Sequence, residues 1–176
     1  TETILHVALR IINGIDKSAY FKLLPNVVVK LDDRNCLKIK APSTGFKWYQ
    51  TNDIVELFSK NTFYFIGRAD RVINTGGIKL NLDMIEKKIE PIMQECFNSD
   101  IRYFLFGIND DLFGQKLTLF IENENSTIEK KLNNLFENSV LNKFEKPKNI
   151  FFLKEFKETE NIKIDYLKTA LKYISQ

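Results

Sequence analysis

The sequence predicts an α+β chain: a partial antiparallel β subdomain followed by a small α+β domain with a short mixed or antiparallel sheet, packed helices and a β-hairpin. Three observations predict it. The first third alternates short apolar runs with turn residues, the texture beyond Asp70 changes to strands interspersed with helical periodicity, and Gly76-Gly77 interrupts a strand-like run. At 176 residues and 44% hydrophobic, the chain can bury one ordinary core, or form a small domain plus part of another.

In order, "ILHVALRI", "NVVVKL", "CLKIKAP", "DIVELFS" and "TFYFIG" read as strands, each a short apolar run bounded by turn residues. Asn35, after Asp32-Asp33, and Ser59-Lys60-Asn61 punctuate hairpins. "RVINTGGIKL" is a hairpin whose turn holds Gly76 and Gly77, residues that adopt positive φ or let another molecule approach the backbone. Leu82, Ile85, Ile89 and Met93 recur at helical spacing, with Asn81 as N-cap and Asp83 and Glu86 near the positive end of the helix dipole. Pro91 is expected to end or kink that helix. "IRYFLFGI" and "KLTLFIEN" are two further strands joined by "NDDLFGQ". Ser126 to Glu129 has the pattern of a capping box before an amphipathic segment reaching about Leu141. "NIFFLKEF" is the last strand, and Asp165 caps a terminal helix through Ile174. The boundary is expected between Arg68 and Asp70, giving units 1–69 and 70–176.

Composition narrows the function. The 26 Lys and Arg against 23 acids leave a formal charge of +3, scattered and not gathered into a tract, so nucleic acid is not the expected partner. The phenylalanine-rich runs read as core, since a base-stacking surface would interleave them with basic residues. Cys36 and Cys96 are far apart and His6 is the single histidine, which leaves no protein-made zinc or iron–sulfur site and suits a reducing, cytoplasmic setting. His6, within an apolar run, reads as a packed histidine. No apolar run approaches a membrane span. The chain opens at "TETILHVALR" without an initiator Met, as a piece of something longer would.

Several residues could carry chemistry. In "WYQTND", Asp53 at the start of a strand could accept hydrogen bonds from two adjacent hydroxyls, as a carboxylate holding a ribose does, or satisfy its own turn. Arg68 could bind a phosphate or ribose or lie on the surface. Lys163, between Ile162 and Ile164, could enter a pocket and stabilise developing negative charge, or point to water while its neighbours point inward. Glu2 could bind a hard cation such as Mg²⁺.

Together these segments resemble the adenylate-forming (AMP-binding) superfamily of acyl- and aryl-CoA ligases, peptide-synthetase adenylation domains and luciferases. "TET" looks like the end of the family's Tyr-Gly-x-Thr-Glu motif and "WYQTND" like its Thr-Gly-Asp motif. "GRADRVINTGGIKLNLDMIE" is similar to its Gly-Arg-x-Asp hinge with the hairpin and helix that follow. "LNKFEKPKNIFFLKEFKETENIKID" looks like its closing segment. "TND" with "GRADRVINTGGIK" looks most like o-succinylbenzoate-CoA ligases of menaquinone biosynthesis.

The resemblance implies ATP or AMP, Mg²⁺ and CoA as ligands beside a small carboxylate. It implies that Thr1 touches nucleotide phosphate, Glu2 holds Mg²⁺, and Asp53 and Arg68 grip the ribose. Asp70 would be the hinge of a mobile C-terminal domain and Lys163 the lysine delivered for adenylation. Gly76 and Gly77 would line the thiol tunnel, with Lys79 near phosphate. Departures are Asn52 for the glycine before Asp53, Ile162 for the glycine before Lys163, and Lys157 for a proline in that loop. No Ser/Thr/Gly-rich phosphate loop and no acyl pocket occur in the chain; on this reading they belong upstream of Thr1, and the chain alone is inactive. A ligase for another acid, or a module that keeps the fold without turnover, stands as the alternative.

Overall fold

Asn35 reverses the chain because its φ of 61° is one that asparagine tolerates. The carboxylate of Asp32 accepts hydrogen bonds from the amides of Arg34 and Cys36 across the same turn. Turns of this kind build the first of two compact units, Thr1–Arg71 and Val72–Gln176, in a computed structural model that describes residues 6–97 and 100–174.

The first unit is a six-stranded antiparallel sheet. Its strands are β1 (Ala8–Leu9), β2 (Tyr20–Leu23), β3 (Val28–Leu31), β4 (Cys36–Lys40), β5 (Tyr49–Ser59) and β6 (Thr62–Arg68), ordered β1-β2-β6-β5-β4-β3. Leu37, Ile39, Ala41, Val55 and Phe63 bury one side of it. Phe21 lies opposite Phe63 in register, and their rings stack at 5.4 Å, a cross-strand pair of the kind that fixes sheet alignment.

Three expectations change here. Only Ala8–Leu9 of the first apolar run pairs among the described residues, and His6 is exposed ahead of it, not packed. Tyr20–Leu23 is a strand that the apolar-run reading passed over. β5 starts at Tyr49, so Asp53 sits inside a strand and not at its start.

The second unit opens with β7 (Val72–Thr75) and β8 (Ile78–Asn81). There follow α1 (Leu82–Cys96), β9 (Tyr103–Asp110), β10 (Gly114–Glu122), α2 (Glu129–Glu137), β11 (Asn149–Leu153) and α3 (Tyr166–Ile174). The sheet runs β11-β10-β7-β8, with β9 paired to β10. The β10–β11 pair is parallel and the others antiparallel, so the sheet is mixed. Alternation along β9 and β10 feeds two cores. Leu105, Leu117, Leu119 and Ile121 pack with α1 and α2, while Phe104 and Phe120 pack with Phe156 and Ala170. The phenylalanine runs thus contribute core, Phe104 and Phe120 stacking at 4.9 Å.

The amide of Met84 donates to Asn81 Oδ1, and Leu82, Ile85, Ile89 and Met93 are the buried stripe of α1. Pro91 does not end the helix, which continues to Cys96; buried Ile89 and Met93 on either side hold the turn that the missing N–H weakens. The capping box at Ser126 does not form. Asn125 accepts the amide of Thr127 instead, Ser126–Ile128 is a tight 3-10 turn, and α2 stops at Glu137. Asp165 does cap α3, accepting the amide of Lys168. No described helix is long and apolar enough to cross a membrane.

Candidate active site

The first constellation follows from strand register. Asp53 on β5 lies directly opposite Arg68 on β6, so two residues 15 apart in sequence share a face. The Arg68 guanidinium forks onto Asp70, Nε to Oδ1 at 2.9 Å and Nη2 to Oδ2 at 2.6 Å, and reaches Asp53 Oδ1 from Nη1 at 3.4 Å. A bidentate guanidinium–carboxylate pair is both directional and charge-assisted. The Arg68 fork holds the Asp70 carboxyl below its ordinary range, with the Asn52 side chain adding a further hydrogen bond. Asn52 itself lies in the extended β5 strand, so the residue in the glycine position needs no left-handed backbone. Asp53, Arg68 and Asp70 are all partly exposed, at 37, 47 and 50% of their side chains. Their oxygens and N–H groups can therefore meet a ligand whose hydroxyls both donate and accept, as vicinal sugar hydroxyls do.

In the second unit, Gly76 and Gly77 form the tip of the β7–β8 hairpin at φ 57° and 82°, two positive values that match a type I′ turn. The Gly76 amide donates to Phe113 O at 2.8 Å, while a Cβ on Gly77 would meet nothing within 4 Å. The open side of the tip can accept a thin group. Lys79, opposite Asn74 on the hairpin, is exposed. Beside the hairpin base lies a cleft of about 400 Å³, lined by Thr75, Phe113, Lys116, Lys143, Phe144 and Lys148 among others.

Lys163 is exposed in the loop between β11 and α3. Its amide donates to Thr159 Oγ1 at 3.3 Å, and its carbonyl accepts from the Thr159 amide at 2.8 Å. Ile162 stands at φ 58° and is 79% exposed. That backbone is the one a glycine takes easily and a β-branched residue takes at a cost of roughly 1–3 kcal/mol. Thr159 was not singled out in the sequence; a threonine four residues before the lysine is the signal that could have found it.

Thr1 and Glu2 lie outside the described residues. Among the described residues no group of three or more His, Cys, Asp or Glu side chains could hold a metal ion, and both cysteines are free thiols.

No family model matches the chain. The anguibactin system regulator of Vibrio anguillarum is 28% identical over 129 residues, 69% of this chain and 12% of that protein. Among solved structures, an AMP-forming acyl-CoA synthetase/AMP-acid ligase II-like protein from Dyadobacter fermentans is 38% identical with a TM-score of 0.56. The match covers 97% of this chain and 48% of that one. The similar solved structures include an anthranilate CoA ligase. ATP-bound MatB from Rhodopseudomonas palustris shares the fold, with a TM-score of 0.70 at 16% identity over 92% of this chain and 37% of its own. So does a variant of Escherichia coli MenE with bound OSB-AMS, at 0.60 and 21% identity over 88% and 35%. The chain thus spans less than half the length of each of these proteins.

Proposed function

We propose that this chain is the C-terminal portion of an ATP-dependent acyl- or aryl-CoA ligase, its mobile domain beginning at Asp70. The observation that carries the reading is Arg68, forked on Asp70 and reaching Asp53. One cation between two carboxylates, with Asp53 and Arg68 held by strand register and Asp70 in the 3-10 turn that follows β6, suits the two hydroxyls of a ribose. The 38% identity to an AMP-forming acyl-CoA synthetase-like protein supports the same reading.

The reaction has two halves. A carboxylate oxygen attacks the α-phosphorus of ATP, forming a P–O bond to the acyl group and releasing pyrophosphate. A thiol sulfur then attacks the acyl carbon, the C–O bond to AMP breaks, and thioester and AMP leave. In the first half Asp53 and Arg68 orient the ribose, and Lys163 offers its ammonium to the negative charge that develops on oxygen. In the second half the Gly76–Gly77 hairpin admits the thiol, with Lys79 near phosphate. The cleft lysines Lys116, Lys143 and Lys148 suit a phosphate-bearing thiol such as CoA. Thr1 would contact nucleotide phosphate and Glu2 would hold Mg²⁺, which when bound neutralises phosphate charge. The leading acid is o-succinylbenzoate, for menaquinone biosynthesis, supported by the "TND" and "GRADRVINTGGIK" pattern and by the shared fold with MenE. Two free thiols support a cytoplasmic setting.

The test is carboxylate-dependent ATP–pyrophosphate exchange by the intact protein carrying this chain, across a panel of acids that includes o-succinylbenzoate. Exchange on that acid supports the adenylating half and its substrate, and exchange on another corrects the substrate alone. A folded protein with Mg²⁺ and no exchange on any acid would replace the reading with a non-catalytic module.

A further inference from the structure

Ile162 holds a left-handed backbone immediately before Lys163, on a loop whose tip is exposed. Strain of that kind persists only where the surroundings over-determine it. The bonds from Thr159 to Lys163 and from the Ile162 amide to Thr159 O close the tip on itself without reaching the sheet, so they hold only while Glu158, next to Thr159, is held. What ties the tip to the sheet is a cluster at its base. Arg102, just before β9, sends Nη1 to Glu122 Oε2 at 3.3 Å and Nη2 to Glu158 Oε1 at 2.7 Å. Glu122, the last residue of β10, accepts the Phe156 amide through its other oxygen at 2.7 Å, and its own amide donates to Arg102 O. The Arg102 guanidinium lies 5.7 Å from the centre of the Phe156 ring, which packs edge-on against Phe104 in the core. Glu158 in turn pairs with Ile164 as an isolated antiparallel bridge, one residue from Lys163 on the return strand.

We infer that Arg102 is a positioning residue for Lys163: by gripping Glu122 on the sheet and Glu158 on the loop, it fixes where the Lys163 ammonium is presented. The stem of the loop is held separately, by the Lys157 amide on Thr169 Oγ1 and the Asp165 amide on Lys157 O. Losing Arg102 therefore loosens the tip without detaching the stem. This inference rests on the adenylation role proposed above for Lys163.

Hydrogen–deuterium exchange tests the grip itself. In the intact protein, Arg102→Ala is expected to speed exchange at the Thr159 and Lys163 amides about tenfold, an opening of the tip alone, and to leave α1 unchanged. Unaltered protection there would overturn the inference whatever chemistry the protein performs. Kinetics test the consequence. Arg102→Ala should lower kcat for carboxylate-dependent ATP–pyrophosphate exchange about tenfold or more, as a small misplacement of a reacting group does. KM for ATP and thioester formation from supplied acyl-adenylate should hold. Arg102→Lys, keeping the charge without the fork, should recover part of the loss, and Glu158→Gln should repeat it in weaker form. Equal loss in both half-reactions would make Arg102 merely structural and overturn the assignment. Full pyrophosphate exchange by Lys163→Ala would remove the function on which the assignment rests, a failure separable from the amide result.

Discussion

The Asp53–Arg68–Asp70 constellation and the Lys163 loop are held in different ways. The first is set by strand register: Asp53 faces Arg68 across an antiparallel ladder, and Asp70 follows two residues on, within reach of the same guanidinium. The second hangs on a loop with one strained residue, a threonine that closes its tip, and a charged grip at its base. A ladder fixes side chains through many backbone bonds, whereas a loop fixes them through a few. Groups that wait for a ligand suit the former, and a group that must be delivered and withdrawn suits the latter.

The largest effect should separate the two regions by reaction step. Lys163→Ala in the intact protein is expected to lower acyl-adenylate formation by about 10²-fold or more, on the scale of a lost charge-stabilising donor. Thioester formation from supplied adenylate should be spared. Rapid-quench measurement of each half-reaction checks it, and equal loss in both would erase the distinction drawn between delivered lysine and waiting ladder.

Next in size is Gly77→Trp. The site has room for a side chain but a φ of 82°, so the substitution both strains the turn and fills the open side of the hairpin. Thiol transfer should slow while adenylation continues. A slowed adenylation with intact thiol attack would assign the hairpin to the wrong step.

How far these regions were legible in the sequence follows from the same contrast. Strands β3 to β11 and the stripe of α1 could be read because apolar periodicity reports burial directly, and the Gly76–Gly77 turn because its backbone demands those residues. Asp53, Arg68 and Asp70 could be named as candidates, but their convergence depends on register, which a single strand pattern does not encode. The helix runs past Pro91 to Cys96 because tertiary packing of Ile89 and Met93 outweighs the local tendency of proline to end it. Ser126 misled because Asn125, one residue earlier, supplied the competing oxygen. Arg102, Glu122 and Glu158 were invisible, since a long-range ion-pair cluster leaves no periodic trace.

A third substitution probes the strain in the loop. Ile162→Gly removes a β-branched side chain from φ 58°, relieving roughly 1–3 kcal/mol while adding about 0.5–1 kcal/mol of unfolded-state entropy. The net expectation is stabilisation by about 1 kcal/mol in denaturant unfolding. Ile162→Ala, which keeps a Cβ, should gain less. Destabilisation by Ile162→Gly would mean that the exposed isoleucine contributes packing that outweighs its backbone.

The smallest effect belongs to the ladder and is read through pH. Asp70 ionises below its ordinary value of 3.8 in the folded protein, chiefly because of the Arg68 fork. A depressed folded pKa means that the unfolded chain binds the proton more readily. The pair's stabilisation is thus complete above the unfolded value and is lost as pH falls through the folded one. Because both side chains are about half exposed, solvent screening holds the contribution to about 0–1 kcal/mol. Asp70→Asn should therefore cost at most that amount near neutral pH, and the gap between variant and wild type should close only as pH drops below about 4. Arg68→Ala should cost at least as much, since it loses the same fork and the contact to Asp53 as well. A gap that persisted at the acid end would assign the stabilisation to hydrogen-bond geometry that asparagine cannot reproduce, and would leave the charge of Asp70 free to serve the ligand alone.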